Sequence, residues 1–595
     1  MDLVKSKERA TGPARSDDGK RAGPPEPAAG HLGAKSLLLP EKLPLERWIA
    51  LGVFTISLLY LCLFRRYTSI DPDEGIILQG AQRIVHGQVL YRDFFSFFTP
   101  GSYYLLALLF KVFGSSMLVA RTALAAYGAF FSVFTYLLAR RVCSRWVALA
   151  AAYLVTWTCL PWRFMILHNW DSTLWACATV YCAVWLLQAP RWGWALATGS
   201  FASLTVLFEQ SKGAGLVLGL GLGLLLLVLF ARSTLRLSRR DWVTLGIGLA
   251  WPFALTIAYF AAHHALPAML ADWFWPLHNY SIVNSVPYGY QDWSDEARMR
   301  LYGSGSWLVR GIALFTVSPC FLLPVLPIIA IMLLIYWLLE VKRERLAVDR
   351  AAYYILVCSS IVGLLFSVLI SRADIIHFVH LTPLLYLVLA WVMDGTDVRG
   401  QLMRSIRPLV SLGILITFTT LGMAFLVRIR SAKTVIETRR GVVLAKSSDD
   451  ILAYVQTQVP AGSRILVYPY LPLYYYLTAT FNPTSFDYLQ PGMHTHQQEQ
   501  EVIHQVSADR TSVIVFQPSF NDSIAASWPK TSLASLASDP VADYILANYR
   551  PCRVLVSAFE WDWRFVFMVR KDLACPDTPH RDQRLPSGGQ PPALK

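Results

Sequence analysis

Long, continuously apolar runs separated by short polar connections recur along this chain from Trp48 to Val427. The runs are Trp48 to Phe64, Thr122 to Ala139, Trp146 to Leu160, Ser172 to Leu187, Trp194 to Phe208, Ala214 to Phe230, Trp242 to Ala262, Cys320 to Leu339, Ala351 to Ile370, His377 to Met393 and Leu409 to Val427. A hydrocarbon layer of about 30 Å takes roughly 20 residues of α-helix, so these read as about eleven membrane spans. Their apolar residues are continuous rather than alternating, which excludes a closed β-barrel. After Val427 the pattern changes. Short β-type runs (Arg464 to Tyr468, Ser512 to Phe516, Arg553 to Ser557, Arg564 to Val569) alternate with helical stretches (Ser447 to Gln458, His496 to Val506). The chain therefore reads as an α-helical polytopic membrane protein with a small C-terminal α/β domain.

Composition supports this class. Of 595 residues 55% are hydrophobic and only 15% charged, with mean hydropathy +0.42, more apolar surface than a water-soluble core absorbs. The net charge of +14 does not mark a nucleic-acid partner, because the basic residues fall in alternate connections: Arg140, Arg141 and Arg145; Arg232, Arg236, Arg239 and Arg240; Lys342, Arg343 and Arg345; Arg399, Arg404 and Arg407. That spacing follows the positive-inside rule. With those connections in the cytoplasm, residues 65–121, Arg163 to Asp171, Glu209 to Lys212, His263 to Ser306, Arg372 to Asp374 and the C-terminal domain all share the opposite face. A further complete span at Ser102 to Ala120 would break this agreement, so that segment is predicted to be interfacial or re-entrant.

The predicted organisation is a disordered cytoplasmic tail (1–47), a transmembrane domain (48–427), an extracytoplasmic α/β domain (428–575) and a second disordered tail (576–595). Gly12 to Pro40 and Pro576 to Lys595 are too rich in Pro, Ala, Gly and charge to fold. Nothing at Met1 resembles a cleavable signal, so the first span is expected to act as an uncleaved signal anchor. Seven of the nine cysteines lie in or beside the spans, where Cys behaves as a small hydrophobe, and there is no Cys-x-x-Cys pair. Cys552 and Cys575 are the exceptions and could pair in an oxidising compartment.

The candidate chemistry begins directly after the first span, at Asp71-Pro72-Asp73-Glu74-Gly75. The cluster can be a helix start, with Asp71 as N-cap, Pro72 in the first position and two acids at the positive end of the dipole; Ile77, Leu78, Ala81, Ile84 and Val85 then form one apolar stripe. It can also present a carboxylate for proton transfer, and a helix start is a rigid mount for one. On the same face lie His168-Asn169-Trp170-Asp171, with Asp171 as a cap and His168 or Asn169 as sugar contacts, and Asp272 to Tyr280, where Trp275 and His278 either line an acceptor groove or belong to an interfacial aromatic belt. His377 and His380 are either ligands or satisfied polar residues of the bundle. His494, His496 and His504 are too loosely spaced for a zinc site.

The run Asp73-Glu74-Gly75, Gly87, Tyr91-Arg92-Asp93-Phe94-Phe95, Pro100-Gly101, Leu105 to Gly114 and Arg121 resembles the first outer loop of the polyprenyl-phosphate-sugar-dependent glycosyltransferases with the GT-C fold. These include the protein O-mannosyltransferases and the bacterial transferases that modify lipid A and its core sugars. The resemblance spans about Trp48 to Val427 and is strongest from Asp71 to Arg141. It implies transfer of a sugar, with inversion, from a polyprenyl phosphate to a hydroxyl of a glycan, lipid or protein acceptor, by a multi-pass enzyme of the cell (inner) membrane acting at its extracytoplasmic face. Asp73 matches the proposed base, with Glu74 supporting it or helping to hold a divalent metal ion, which some relatives use. One departure stands out: where relatives carry Asp-Gln-Lys-Pro-Pro, this chain has Ser96-Phe97-Phe98-Thr99-Pro100, so Phe98 replaces the lysine expected at the donor phosphate. Lys212, Arg372 and Arg92 are the candidate substitutes, with His377 nearby; the alternative for Lys212 and Arg372 is to anchor helix ends at the lipid headgroups. The competing readings are a transporter or flippase of a lipid-linked substrate, disfavoured because the charges gather at one face and no repeat is visible, and a non-catalytic scaffold.

Overall fold

The computed structural model describes residues 43–576 apart from 232–234, 292, 294, 304, 343–347, 396–400, 491, 521–527, 533–535, 537 and 560–562. Both expected tails, apart from a few flanking residues, and Arg232, Arg343, Arg345 and Arg399 lie outside the described residues. Helices α1 (Leu43–Leu61), α2 (Pro72–Val85), α3 (Gly101–Phe113), α4 (Met117–Ala139), α5 (Arg145–Trp162), α6 (His168–Gln188), α7 (Trp192–Phe208), α8 (Gln210–Phe230) and α9 (Arg239–Ala262) come first. They are followed by α10 (Leu266–His278), α11 (Tyr280–Asn284), α12 (Asp295–Tyr302), α13 (Trp307–Leu322), α14 (Val325–Lys342), α15 (Val348–Ser371), α16 (Ile375–Val379), α17 (Thr382–Asp394) and α18 (Gln401–Ser431). Among the described residues seven helices, within α1, α4, α8, α9, α14, α15 and α18, are long and apolar enough to cross a membrane. The chain is a multi-pass membrane protein.

Two expected spans are corrected. Cys320 to Leu339 is divided at Leu323-Pro324, so that α14 starts at Val325 and the preceding residues belong to α13, whose Trp307, Leu308, Val309 and Ile312 are exposed. His377 to Met393 is broken at His380-Leu381, because Pro383 suits only the first turn of a new helix. The helix α3, expected to be interfacial or re-entrant, has only 13 residues, about 20 Å of helix. It packs at one end against Phe208 and near the other stacks Phe110 on Tyr476 of the C-terminal region.

Apolar helices in lipid gain little from burying apolar surface against each other, so close backbone approach decides their packing. Gly215, Gly219 and Gly223 give α8 a smooth stripe facing Gly363 and Ser359 of α15, where a β-carbon would overlap the facing backbone or hydroxyl. Gly199 and Gly248 do the same for α7 and α9. At one end of the bundle Glu46 is buried with Tyr136, Arg140 and Arg145, which places the start of α1 beside the first basic connection. The acidic cluster lies at the other end.

The C-terminal region begins with a hairpin, β1 (Thr434–Thr438) and β2 (Gly441–Ala445), and continues through α19 (Asp450–Gln458), β3 (Leu466–Tyr468), α20 (Leu473–Thr478), α21 (His496–Asp509), β4 (Val513–Phe516), the helix Pro540–Asn548, β5 (Tyr549–Val556) and β6 (Arg564–Arg570). The sheet runs β3-β4-β6-β5, parallel between β3 and β4 and otherwise antiparallel. Pro551 sits at a register shift in the edge strand β5, where a missing N–H is tolerated, and Cys552 is bonded to Cys575.

This region packs directly on the first loop and forms one compact unit with the helices over Leu38–Lys595. Thr68 N–H donates to Leu444 O at 2.9 Å, Leu444 N–H to Arg66 O at 2.7 Å and Phe95 N–H to Ser485 O at 2.9 Å. Arg83 donates through Nε (3.0 Å) and Nη2 (2.7 Å) to Asp487, with both side chains under 10% exposed. Gly75 lets α2 touch α20 backbone to backbone, since a β-carbon there would overlap Leu473.

Candidate active site

The helix-start reading of the acidic cluster holds in the structure. Asp71 is extended and accepts from Asp73 N–H at 3.0 Å, with Pro72 as the first helical residue. The two acids of the first turn then diverge. Glu74 is buried at 1% exposure, with both oxygens taken by Arg121 and one also accepting from Ile166 N–H at 3.1 Å. It anchors α2 to α4 and the α5–α6 connection from a place beside Asp73 on the same cavity, which suits the supporting role expected of it. Asp73 stays 38% exposed; Oδ2 accepts from Arg163 Nη2 at 2.7 Å and Oδ1 from the Tyr470 hydroxyl at 2.7 Å. Each carboxylate oxygen has two lone pairs, so Asp73 retains accepting capacity on its open side.

Asp73 stands on the wall of a cavity of about 780 Å³. Arg163, His168, Asn169, Glu209, Arg372, Asp374, His377, His380 and Arg428 share that wall, and Tyr470, Tyr488, Gln490 and Trp528 close it from the C-terminal region. Arg372 Nε donates to Asp374 at 2.5 Å, and Asp374 also caps α16 and holds His377 Nδ1 at 2.6 Å. Burial would raise the Asp374 carboxyl, but His377 and Arg372 outweigh it and hold the group well below the usual range. For Arg163 burial opposes the charge, yet the Asp71, Asp73 and Asp374 carboxylates make the guanidinium more basic than usual. Asp71 goes the other way: burial and the nearby charges of Asp73 and Glu74 outweigh Arg163 and push it up to about 7. His380 is buried, has no hydrogen-bond partner on either ring nitrogen among the described residues, and is held neutral by burial and by neighbouring cations.

Five residues singled out in the sequence, Lys212, Arg92, Trp275, His278 and Asp171, take other places than expected. Lys212 does not line the described cavity; its ammonium is buried behind Glu209 and donates to Asn169 O (2.8 Å), Ser172 Oγ (2.9 Å), Thr173 Oγ1 (3.1 Å) and Glu209 (2.9 Å). Arg92 is exposed and pairs with its neighbour Asp93 at 2.8 Å, away from the cavity. Trp275 lies behind the wall, stacked on Phe97 with centroids 5.4 Å apart, and His278 is exposed at the end of α10. Asp171 is not a cap, since α6 begins at His168 with Leu167 before it. His494, set aside as a zinc ligand, sits in the same aromatic cluster against Phe95, Trp275 and Tyr488. Phe98, in the lysine's place, lies 4.1 Å from the His168 ring.

The residues missed from sequence are Arg163, Arg428 and Tyr470. Arg428 Nη2 donates to Pro161 O (2.9 Å) and Trp162 O (3.0 Å) from the last turn of α18. The cavity also has an apolar side, where Phe274 and Leu277 of α10 and Phe366 and Ile370 of α15 are exposed at its margin. A divalent metal does not fit the acidic cluster: Asp71 and Asp73 already share the Arg163 guanidinium and Glu74 is taken by Arg121. The described residues contain no group of three or more His, Cys, Asp or Glu able to hold a metal.

Residues 98–260 match the family model described as dolichyl-phosphate-mannose-protein mannosyltransferase. No curated protein matches the chain. Among solved structures, ArnT from Cupriavidus metallidurans bound to undecaprenyl phosphate is 15% identical with a TM-score of 0.47, covering 90% of this chain and 99% of that one. The apo form of the same protein is 14% identical over the same shares, with the same score. The Archaeoglobus fulgidus oligosaccharyltransferase in complex with zinc and sulfate is 13% identical over 86% of this chain and 74% of that one, with a TM-score of 0.47. Over residues 98–260 the chain is thus similar to dolichyl-phosphate-mannose-protein mannosyltransferases.

Proposed function

We propose that this protein is a membrane glycosyltransferase that takes a sugar from a polyprenyl phosphate and gives it, with inversion, to a hydroxyl of an extracytoplasmic glycan, lipid or protein. The observation that carries the reading is the placement of a partly open carboxylate, Asp73, on one cavity wall with Arg372, His377 and Arg428, joined to the mannosyltransferase match.

In this mechanism Asp73 removes the acceptor hydroxyl proton as the oxygen attacks the anomeric carbon. The bond from that carbon to the phosphate oxygen breaks and its electron pair stays on the polyprenyl phosphate. A carboxylate base typically contributes about 10² to 10⁴ in rate. Arg372, Arg428 and His377 offset the charge growing on the phosphate, which preorganised cations do well away from bulk water. His168, Asn169, His380 and Gln490 offer hydrogen bonds to sugar hydroxyls, and the margin between α10 and α15 suits an apolar chain. No metal enters any step. The basic connections beside Glu46, at the far end of the bundle, support an extracytoplasmic position for the cavity.

The test is Asp73→Asn in proteoliposomes supplied with polyprenyl-phosphate mannose and a membrane-lipid extract as acceptor. Release of polyprenyl phosphate should fall by at least about 10²-fold with thermal stability retained. Undiminished release would sink the assignment, and donor movement across the bilayer without cleavage would favour the transporter. Arg372→Ala should raise the donor KM, whereas Lys212→Gln should chiefly lower stability, because it strands the buried Glu209.

A further inference from the structure

We infer that Tyr470 is a positioning residue for the catalytic base, so that the C-terminal domain supplies part of the catalytic apparatus as well as a wall for the acceptor. This rests on the reading of Asp73 as the base. The Tyr470 hydroxyl donates to Asp73 Oδ1 at 2.7 Å across 397 positions of sequence. Arg163 holds Oδ2 at 2.7 Å, and two donors on different oxygens fix the plane of a carboxylate as one cannot. The tyrosine is itself fixed: its ring is buried against Tyr488, Phe520 and Trp528, and it lies just before α20, where Gly75 brings α2 into backbone contact.

The chemistry follows from the donor. A hydroxyl donated to one oxygen and a guanidinium to the other leave the remaining lone pairs of Asp73 aimed at the cavity. After the acceptor oxygen attacks, the proton lies on Asp73 and the tyrosine neither gains nor loses one.

Infrared difference spectroscopy of the full-length protein tests this without knowledge of the sugar. The carboxylate band present in the wild type and absent from Asp73→Asn reports Asp73. In Tyr470→Phe, which keeps the ring packing, the frequency of that band should shift as the hydrogen bond is lost, and polyprenyl phosphate release should drop roughly 10-fold through kcat with the donor KM unchanged. 3-Fluorotyrosine at position 470, a stronger donor of the same shape, should shift the band in the opposite direction, which keeps the test valid should Tyr470→Phe fold poorly. A band unmoved by both replacements overturns the inference. Full activity of Asp73→Asn instead overturns the assignment of Asp73 as the base beneath it.

Discussion

Asp71 and Asp73 stand two positions apart, contact the same guanidinium and behave differently, because Asp71 is turned in as the helix cap, its side chain 16% exposed against 38% for Asp73. Asp71 has a folded-state pKa raised to about 7, so the folded protein holds a proton that the unfolded chain releases. Its stability contribution is complete below the unfolded value and is lost as pH rises through about 7. The wild type should therefore lose melting temperature relative to Asp71→Asn between about pH 4 and pH 7, with Asn retained as a competent cap. Parallel melting curves across that window would contradict it. The cap and the exposed acid were legible in the sequence because a helix start is local chemistry. The cations were not. A lysine at a helix end reads the same whether it reaches the headgroups or, like Lys212, turns inward to four partners. Arg163 hides just past an apolar run ending in Pro161-Trp162, with its partners about 90 positions away.

Among elements, the periodic and punctuated segments were the readable ones. All eleven expected apolar runs fall on helices, and the four β-type runs overlap β3 to β6. What escaped was interruption: Leu323-Pro324 and His380-Leu381 sit inside stretches apolar enough to read as unbroken, and the second break puts His380 on the cavity wall. Contact between elements was equally hidden, since a glycine's use depends on what faces it. Gly75→Ala should cost about 3 kcal/mol and release α2 from α20, seen as a lower melting temperature and faster proteolysis. Gly52→Ala, with open space around it, should do neither.

For the whole molecule, the coupling of helices to the C-terminal region was beyond the sequence, which showed only a change of pattern after Val427. The Arg83–Asp487 pair is the clearest tie. Arg83→Ala leaves a buried carboxylate unpaired and should destabilise by about 3–5 kcal/mol; the double replacement Arg83→Met with Asp487→Leu should recover most of that loss. Thermal melts in detergent of the two variants decide it, and equal losses would show that the pair carries nothing beyond its own volume. The union of distant segments also constrains how the protein is made. The cavity wall joins residues 67–98 to residues 470–563, so a chain emerging from the ribosome carries its acid long before the tyrosine that holds it. On the proposed function, the nascent polypeptide should fall short of full transfer activity until its final quarter has been translated and docked, and proteolytic clipping there should lower the activity of a molecule whose helices remain embedded.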